Sequence, residues 1–384
     1  MHHICMVYTR IISIEKLLRQ KSILLLGPRQ STICRLSSEN DLVQYFSLAD
    51  TKLFRELSAN PEILKERLLS KTNLLIVDEA QKLPEIFDEI QNILDRSKNI
   101  RVLLTGSSAR KLRKSGTNLM PGRIWKKNLH PLISYEIGKP DVLERVKKGS
   151  LPGIYTSDNY KEELRQYAGL YLEEEIRAEG FVRNIGSFSR FLEIAAAYNS
   201  EQINYTNIAG DLGAAPNTIR SYFQILYDTL IAYELPPFKK TVRRKAVDTP
   251  KFYFFDVGVV NGILDRFDIA PKHEIFGKSL ESLIFHEINT FIDYNSLNQK
   301  LTFWRSQSKH EVDFIIGDSV AIEVKAKNLV NDRDFNGLKA LSEEINLKRK
   351  IIISLDSHYR KSEQSIEIYP AEQFLRELWE GSII

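Results

Sequence analysis

A chain of 384 residues is long enough for two or three domains, each with a sizeable core, and is too large for a peptide module. Its 43% apolar and 27% charged residues and formal net charge of +4 describe ordinary, mildly basic globular material, in which only a clustered basic face would imply nucleic acid. Cys5 and Cys34 are too few for a disulfide framework or a thiolate metal site, the seven histidines lack metal-ligand spacing, and neither a signal-peptide h-region nor an apolar run of membrane-span length occurs, so a soluble cytoplasmic protein is expected.

The first predicted strand covers residues 22–26 and runs into Gly27-Pro28-Arg29-Gln30. A working phosphate loop needs G-x-x-x-x-G-K-[ST]: glycines free the amides that wrap the phosphates, lysine reaches the β- and γ-phosphates, and the hydroxyl binds Mg²⁺. Here the text after Gly27 is PRQSTICRL. Counted without a gap, Thr32, Ile33 and Cys34 replace the glycine, lysine and hydroxyl; a three-residue deletion instead puts Ser31 and Thr32 at the hydroxyl pair, with the Gly-Lys missing. Arg29 and Arg35 are nearby cations, but a guanidinium fork does not replace that lysine. Gly27, Arg29, Ser31 and Thr32 would face any bound ATP, and weak or absent binding is expected.

Residues 74–84, LLIVDEAQKLP, read as a strand buried on both faces that leaves the apolar layer at Asp78-Glu79. At the carboxyl end of a parallel sheet these two acids border the ligand crevice. That is Walker B logic: Asp78 holds Mg²⁺, and Glu79 orients or deprotonates the attacking water. An acidic helix N-terminus after a buried strand accounts for the same residues. Residues 100–104 form the next strand, ending in Thr105-Gly106-Ser107-Ser108 before a basic helix. Ser107 is placed either as a sensor of the γ-phosphate or as an N-cap. Gly122-Arg123 and LHPLISYEI follow.

GPRQ after a strand, LLIVDEAQKLP, LLTGSSA, and GR followed by LHPLISYEI, in this order and spacing, resemble the bacterial and archaeal AAA-type ATPases that carry a C-terminal domain of unknown function. The resemblance covers nearly the whole chain. It implies Asp78 and Glu79 in the Walker B roles, Ser107 as sensor, Arg123 as a phosphate contact, and a winged helix further on. Relatives of this type often form rings or dimers, so a homo-oligomer is one expectation.

From Lys139 to Ser150 the polar text KPDVLERVKKGS predicts an exposed connection and a domain boundary. Residues 160–178 and 188–198 are predicted packing helices. Residues 206–235 read as helix, turn, helix, with Gly213 at the turn and Pro216 opening the second helix. Asn217, Thr218, Arg220 and Ser221 then point outward, as base-reading residues do. The basic run Lys239, Lys240, Arg243, Arg244 and Lys245 precedes a strand at 251–255 and suits a wing touching DNA phosphates. It also suits a solvated turn, and a winged helix can equally bind a protein partner.

The C-terminal segment holds the most intact chemical pattern, EVDFIIGDSVAIEVKAK. Strands at 311–316 and 320–324 place Asp313 on one strand, with Glu323 and Lys325 on a common face of the next. This is the D…E-x-K arrangement of the restriction-endonuclease-like (PD-(D/E)xK) superfamily. Two carboxylates there hold Mg²⁺ or Mn²⁺ against a phosphate and a lysine offsets transition-state charge. Glu281 would complete the site from the preceding helix. The bland alternative is a surface hairpin with cross-strand pairs worth about 0.2–1 kcal/mol each. Unpaired charge is costly inside such apolar strands, which favours a site.

The architecture expected is therefore α/β and multidomain. An AAA-type P-loop parallel sheet with a degenerate phosphate loop occupies residues 1–140, a helical connector 141–200, a winged helix 201–260, and a small mixed sheet of restriction-endonuclease-like fold 261–384.

Overall fold

The apolar runs of the N-terminal third all become strands of one parallel sheet. The computed structural model describes residues 8–27, 42–97, 99–106, 120–138, 141–172, 185–240, 247–271 and 273–384. The chain divides into two compact units, Met1–His130 with Asp228–Ile231, and Pro131–Tyr227 with Ala232–Ile384.

In the first unit β1 (Ser22–Leu26), β2 (Val43–Ser47), β3 (Leu74–Asp78), β4 (Arg101–Gly106) and β5 (Ile124–Asn128) lie in the order β2-β3-β4-β1-β5, every pair parallel. Strand alternation sorts the side chains by face: Leu24, Leu26, Leu75, Val77, Val102 and Leu104 enter one core, while Ile23, Leu25, Ile76 and Leu103 enter the other. Burial on both faces is why the central strands β1, β3 and β4 read as continuous apolar runs. Helix α1 (Ile14–Gln20) precedes β1, and Asp50 caps α2 (Thr51–Ala59) by accepting from the Lys52 and Leu53 amides. Helix α3 (Ile86–Arg96) buries Ile86, Phe87, Ile90 and Ile93, a helical stripe laid on the sheet. With β4 between β1 and β3, the ends of three strands bring Gly27, Thr105 and Asp78 to one edge. A five-stranded parallel sheet of this kind agrees with a P-loop NTPase core.

The second unit begins where an exposed connection was expected, and the structure corrects that expectation. Helix α4 (Val142–Lys148) buries Val142, Arg145 and Val146. Arg145 and Glu287 are both 0% exposed and form an ion pair. Glu287 also accepts from the Ser134 amide at 2.8 Å, the Ser134 hydroxyl at 3.1 Å and the Trp379 indole, while Arg145 donates to the Leu132 carbonyl and Ser150 Oγ. Arg145, one of the charges in that stretch, is paired inside, and the first compact unit ends at His130, ahead of the stretch read as a connection.

Helix α5 (Ile185–Ala197), α6 (Tyr205–Leu212) and α7 (Pro216–Asp228) pack on a small sheet of β6 (Glu201–Gln202), β8 (Lys251–Phe254) and β7 (Ala232–Leu235). Aromatic rings fill the space between: Phe223 meets Phe191 at 4.9 Å and Phe252 at 5.0 Å, both edge to face. The helix-turn-helix forms as expected, with Gly213 at φ +61° ending α6. The second helix stops at Asp228, not at 235, because Leu230 takes φ +59° and residues 232–235 pair with β8 instead. The first packing helix is described only to Leu172; its acidic residues 173–175 lie outside the described residues.

The larger sheet has the order β13-β14-β12-β11-β10-β9, built from β9 (Leu301–Arg305), β10 (Glu311–Ile316), β11 (Val320–Lys325), β12 (Arg349–Ser354), β13 (Arg360–Lys361) and β14 (Glu367–Pro370). The meander β9-β10-β11 is antiparallel, whereas β11, β12 and β14 run parallel. Helix α9 covers one face; it spans Glu274–Tyr294, follows α8 (Val257–Ile263), and joins α10 (Ala371–Trp379) around Leu280, Leu283, Ile284 and Phe374. The other face packs Trp304, Ile315, Leu338 and Ile352 with Phe238.

Phe238 also ties the chain ahead of the basic run to the larger sheet. The Phe238 amide donates to the Phe303 carbonyl, the Phe303 amide to the Pro236 carbonyl at 3.1 Å, and the Val247 amide to the Arg305 carbonyl at 3.0 Å. Both stems of the expected wing are thus fastened along edge strand β9. A free edge satisfies its backbone groups by this means.

Candidate functional site

Two polar clusters stand at strand ends, one in each unit. In the first, β1 delivers Gly27 to the sheet edge, where its amide donates to the Gly106 carbonyl at 3.1 Å. A Cβ on Gly27 would lie 2.5 Å from the Leu129 carbonyl oxygen, so only glycine fits. The Asp78 carboxylate accepts from Thr105 Oγ1 on one oxygen, and from Tyr45 OH at 3.0 Å and Ser47 Oγ at 3.3 Å on the other. Three neutral hydroxyls orient it without neutralising it, as suits a group that holds a cation through water. Glu79 takes φ +58°, a left-handed backbone that is strained for a side-chain-bearing residue, and Gln81 Nε2 donates to its carboxylate at 2.6 Å.

Arg123 is not brought to this edge. It immediately precedes β5, whose first residue pairs with Ser22, the first of β1, so it stands at the opposite end of the sheet, beside Gln20 and Lys21. There it pairs with Asp95 at 2.6 Å. The parallel register of β1 and β5 dictates this and removes Arg123 from the phosphate-contact role expected of it. Arg29, Ser31, Thr32 and Ser107 lie outside the described residues.

The second cluster lies within the C-terminal unit. Residues Phe314 and Ile322 are cross-strand partners, which places Asp313 and Glu323 opposite one another. Pairing of β10 with β9 slips by one residue between Val312 and Ile315, a bulge that holds Asp313. Bulges bend a strand and re-aim its side chains, and Asp313 turns here toward α9 and β8. Its Oδ2 accepts from the Val324 amide at 2.9 Å, and its Oδ1 from Lys251 Nζ at 3.2 Å. Lys251, which is 3% exposed, also meets Glu281 Oε1 at 2.9 Å and Glu311 Oε1 at 2.7 Å. Tyr253, two residues along the same strand, donates to Glu281 Oε1 at 2.5 Å. Lys325 pairs with Glu323 Oε1 at 2.5 Å, leaving Glu323 Oε2 buried without a partner. The predicted residues Glu281, Asp313, Glu323 and Lys325 therefore do come together, and the structure adds Lys251, Tyr253 and Glu311.

The electrostatics follow from four carboxylates facing two ammonium groups, with Lys251, Asp313 and Glu323 buried and Glu311 and Lys325 half-buried. Burial, then the nearby Asp313, raises Glu323 to about 8 against the opposing pull of Lys325; the same two causes raise Glu281 to about 7 against Lys251. Burial works against the charge on Lys251, but Glu281, Tyr253, Asp313 and Glu311 outweigh it and hold the ammonium protonated. Lys325 is likewise held protonated by Glu323 and Asp313 in spite of burial.

A divalent ion would need several of these oxygens at about 2.0–2.6 Å. Four carboxylate oxygens are already occupied by ammonium groups, and among the described residues no group of three acids, histidines or cysteines is disposed to hold a metal. As built, the cluster does not fit Mg²⁺ or Mn²⁺.

The expected DNA-facing residues are partly engaged. Asn217 and Arg220 are exposed at the start of α7, with Thr218 half-buried; the Arg220 guanidinium lies 4.6 Å from the Tyr205 ring. Lys239 pairs with Asp248 at 2.7 Å and Lys240 with Asp318 at 3.7 Å. Arg243, Arg244 and Lys245 lie outside the described residues.

Lys251 was missed because a lysine heading an apolar strand reads as its boundary. The usable signal was the one that marked Asp313 and Glu323, a charge within the apolar run KFYFF. Ser47 and Thr105 carried no sequence signal beyond their place near strand ends, and Tyr45, in the middle of β2, carried none.

Comparison with known sequences puts the first break between families at residues 138 and 139. Residues 19–138 match a family described as an AAA domain; residues 139–269 and 276–374 match two families described as domains of unknown function, DUF8612 and DUF4143. The uncharacterised protein Rv2008c of Mycobacterium tuberculosis and its counterpart Mb2031c of Mycobacterium bovis are each 23% identical to the chain over 370 residues, covering 93% of it and 81% of the relative. The uncharacterised protein MJ1637 of Methanocaldococcus jannaschii is 23% identical over 299 residues, covering 65% of the chain and 62% of the relative. This chain thus carries an AAA-type domain followed by domains of unknown function. No helix among the described residues is long and apolar enough to cross a membrane.

Proposed function

We propose that this chain is an AAA-type ATPase homologue with impaired ATP binding, whose C-terminal half combines a winged helix with a restriction-endonuclease-like fold and is directed at DNA, gripping it without cutting it. The observation that carries the reading is the meeting of Glu281, Asp313, Glu323 and Lys325 on a bulged antiparallel pair that continues into parallel strands. Surface hairpins do not bury such a set. Metal-assisted cleavage is not part of the reading, because the carboxylates are occupied by lysines. Weak ATP binding follows from the missing Gly-Lys after Gly27, whereas Asp78 and Glu79 retain the acidic pair that a hydrolytic site uses.

DNA contact rests on the exposed start of α7. Fluorescence anisotropy with a labelled duplex at low and physiological salt is the test. Binding should weaken with salt, and Arg220→Ala should reduce it across sequences, since losing a single phosphate contact lowers the salt slope by about one. A chain that binds no duplex at low salt, or an Arg220→Ala variant indistinguishable from it, would overturn the reading.

One observation favours a second reading, a pseudo-enzyme scaffold that holds a protein partner through α7. The described cations of this region already have companions: Arg220 on Tyr205, Lys239 on Asp248 and Lys240 on Asp318. Recovery of a protein contact that Asn217→Ala abolishes, with no duplex binding, would select it.

A further inference from the structure

Lys251 is the member of the carboxylate cluster that the proposed function leaves unused. It arrives on β8 of the small sheet, whereas the acids come from α9, β10 and β11. An ammonium group has three N–H donors, and the described geometry gives it three carboxylate oxygens, on Glu281, Asp313 and Glu311, between 2.7 and 3.2 Å away. Its donor capacity is filled by acids from a helix and two positions of one strand. This is the coordination a spherical cation would receive. A divalent ion at the same place would share a dry cluster with a second positive charge a few ångströms off, and the two would repel.

Independently of Lys251, Glu323 Oε2 is buried, 6% of the residue being exposed, and has no donor. A buried carboxylate oxygen without a partner beside Asp313 is one more oxygen that a metal ion standing in place of the lysine would draw on.

We propose that Lys251 is the resident cation of this site, standing where a divalent metal ion would stand, so that the cluster takes up Mn²⁺ or Mg²⁺ only when the lysine is removed. The inference rests on the nuclease-like reading only in expecting that a metal belongs among these acids; it does not involve DNA binding, so the two fail separately.

The test is a titration of the full chain with Mn²⁺, followed by the electron paramagnetic resonance of the free ion. The unmodified chain should show no uptake that disappears in Asp313→Asn. Lys251→Met, which keeps the length and loses the charge, should bind one Mn²⁺ ion, and adding Asp313→Asn should abolish that binding. Asp313-dependent uptake by the unmodified chain would overturn the proposal, as would a Lys251→Met variant that is folded by circular dichroism and binds nothing. Should Lys251→Met not fold, mass-spectrometric amine labelling of the unmodified chain decides the matter. Lys251 should stay as protected with Mn²⁺ present as with a chelator, and a rise in its labelling with Mn²⁺ would show the lysine displaced and the proposal wrong.

Discussion

Glu323 is a carboxylate that the fold keeps short of solvent, and its cost is legible in how it binds a proton. Burial and Asp313 raise its folded pKa to about 8, while in the unfolded chain it titrates near the ordinary value of 4.5. Between those values the folded state holds the extra proton, so the stability from this group is complete below the unfolded pKa and is lost as pH rises through about 8. Glu281, raised to about 7 by burial and Asp313, acts in the same direction. The facing charges are Asp313, Lys325 and Lys251, and the two ammonium groups stay protonated across this window. Glu323→Gln should therefore flatten the decline in stability between about pH 5 and about pH 9 and raise stability at the alkaline end, by an amount on the order of 1 kcal/mol or more. Urea midpoints across that range measure it, and a variant whose decline matches the parent's would rule out Glu323 as the cause.

At the scale of elements, strand alternation was enough to place Asp313, Glu323 and Lys325 together, because a two-residue period needs only local sequence. What lay beyond reach was pairing at long range. Lys251 meets Asp313 across 62 residues and Arg145 meets Glu287 across 142, and a paired buried charge has the same composition as a solvated one. The attachment of the stems of the expected wing was out of reach for a related reason: Pro236, Phe238 and Val247 find their backbone partners on β9, a strand some sixty residues further on. Phe238 closes that attachment by entering the core of the larger sheet. Phe238→Ala should cost about 3–5 kcal/mol, the range for a buried phenylalanine, whereas Arg220→Ala on the exposed face of α7 should stay within about 0.5 kcal/mol. Chemical denaturation of the two variants checks the contrast. Equal small effects would show the stems of the β7–β8 connection to be unattached in solution.

For the molecule as a whole, the decisive feature is that each unit closes its own core. Leu75, Val77 and Leu104 complete the first, and Leu283, Phe314 and Phe374 belong to the second. The buried Arg145–Glu287 pair lies wholly in the second, between α4 and α9, so α4 is part of its architecture and not a connection to it. Breaking a buried pair by removing one partner leaves an uncompensated charge and costs about 3–5 kcal/mol. Scanning calorimetry of the full chain should then resolve two transitions. Arg145→Met should lower one of them only, and Leu75→Ala, at about 2–5 kcal/mol, the other only. A ligand that binds the native state raises the transition of the unit it binds, by about 2.7 kcal/mol when present at a hundred times its dissociation constant. The missing Gly-Lys of the phosphate loop therefore sets one more outcome in the same experiment: millimolar ATP with Mg²⁺ should leave the Leu75-sensitive transition nearly in place. A rise of that transition with ATP, abolished in Asp78→Asn, would return the chain to the working ATPases, whatever the fate of its carboxylate cluster.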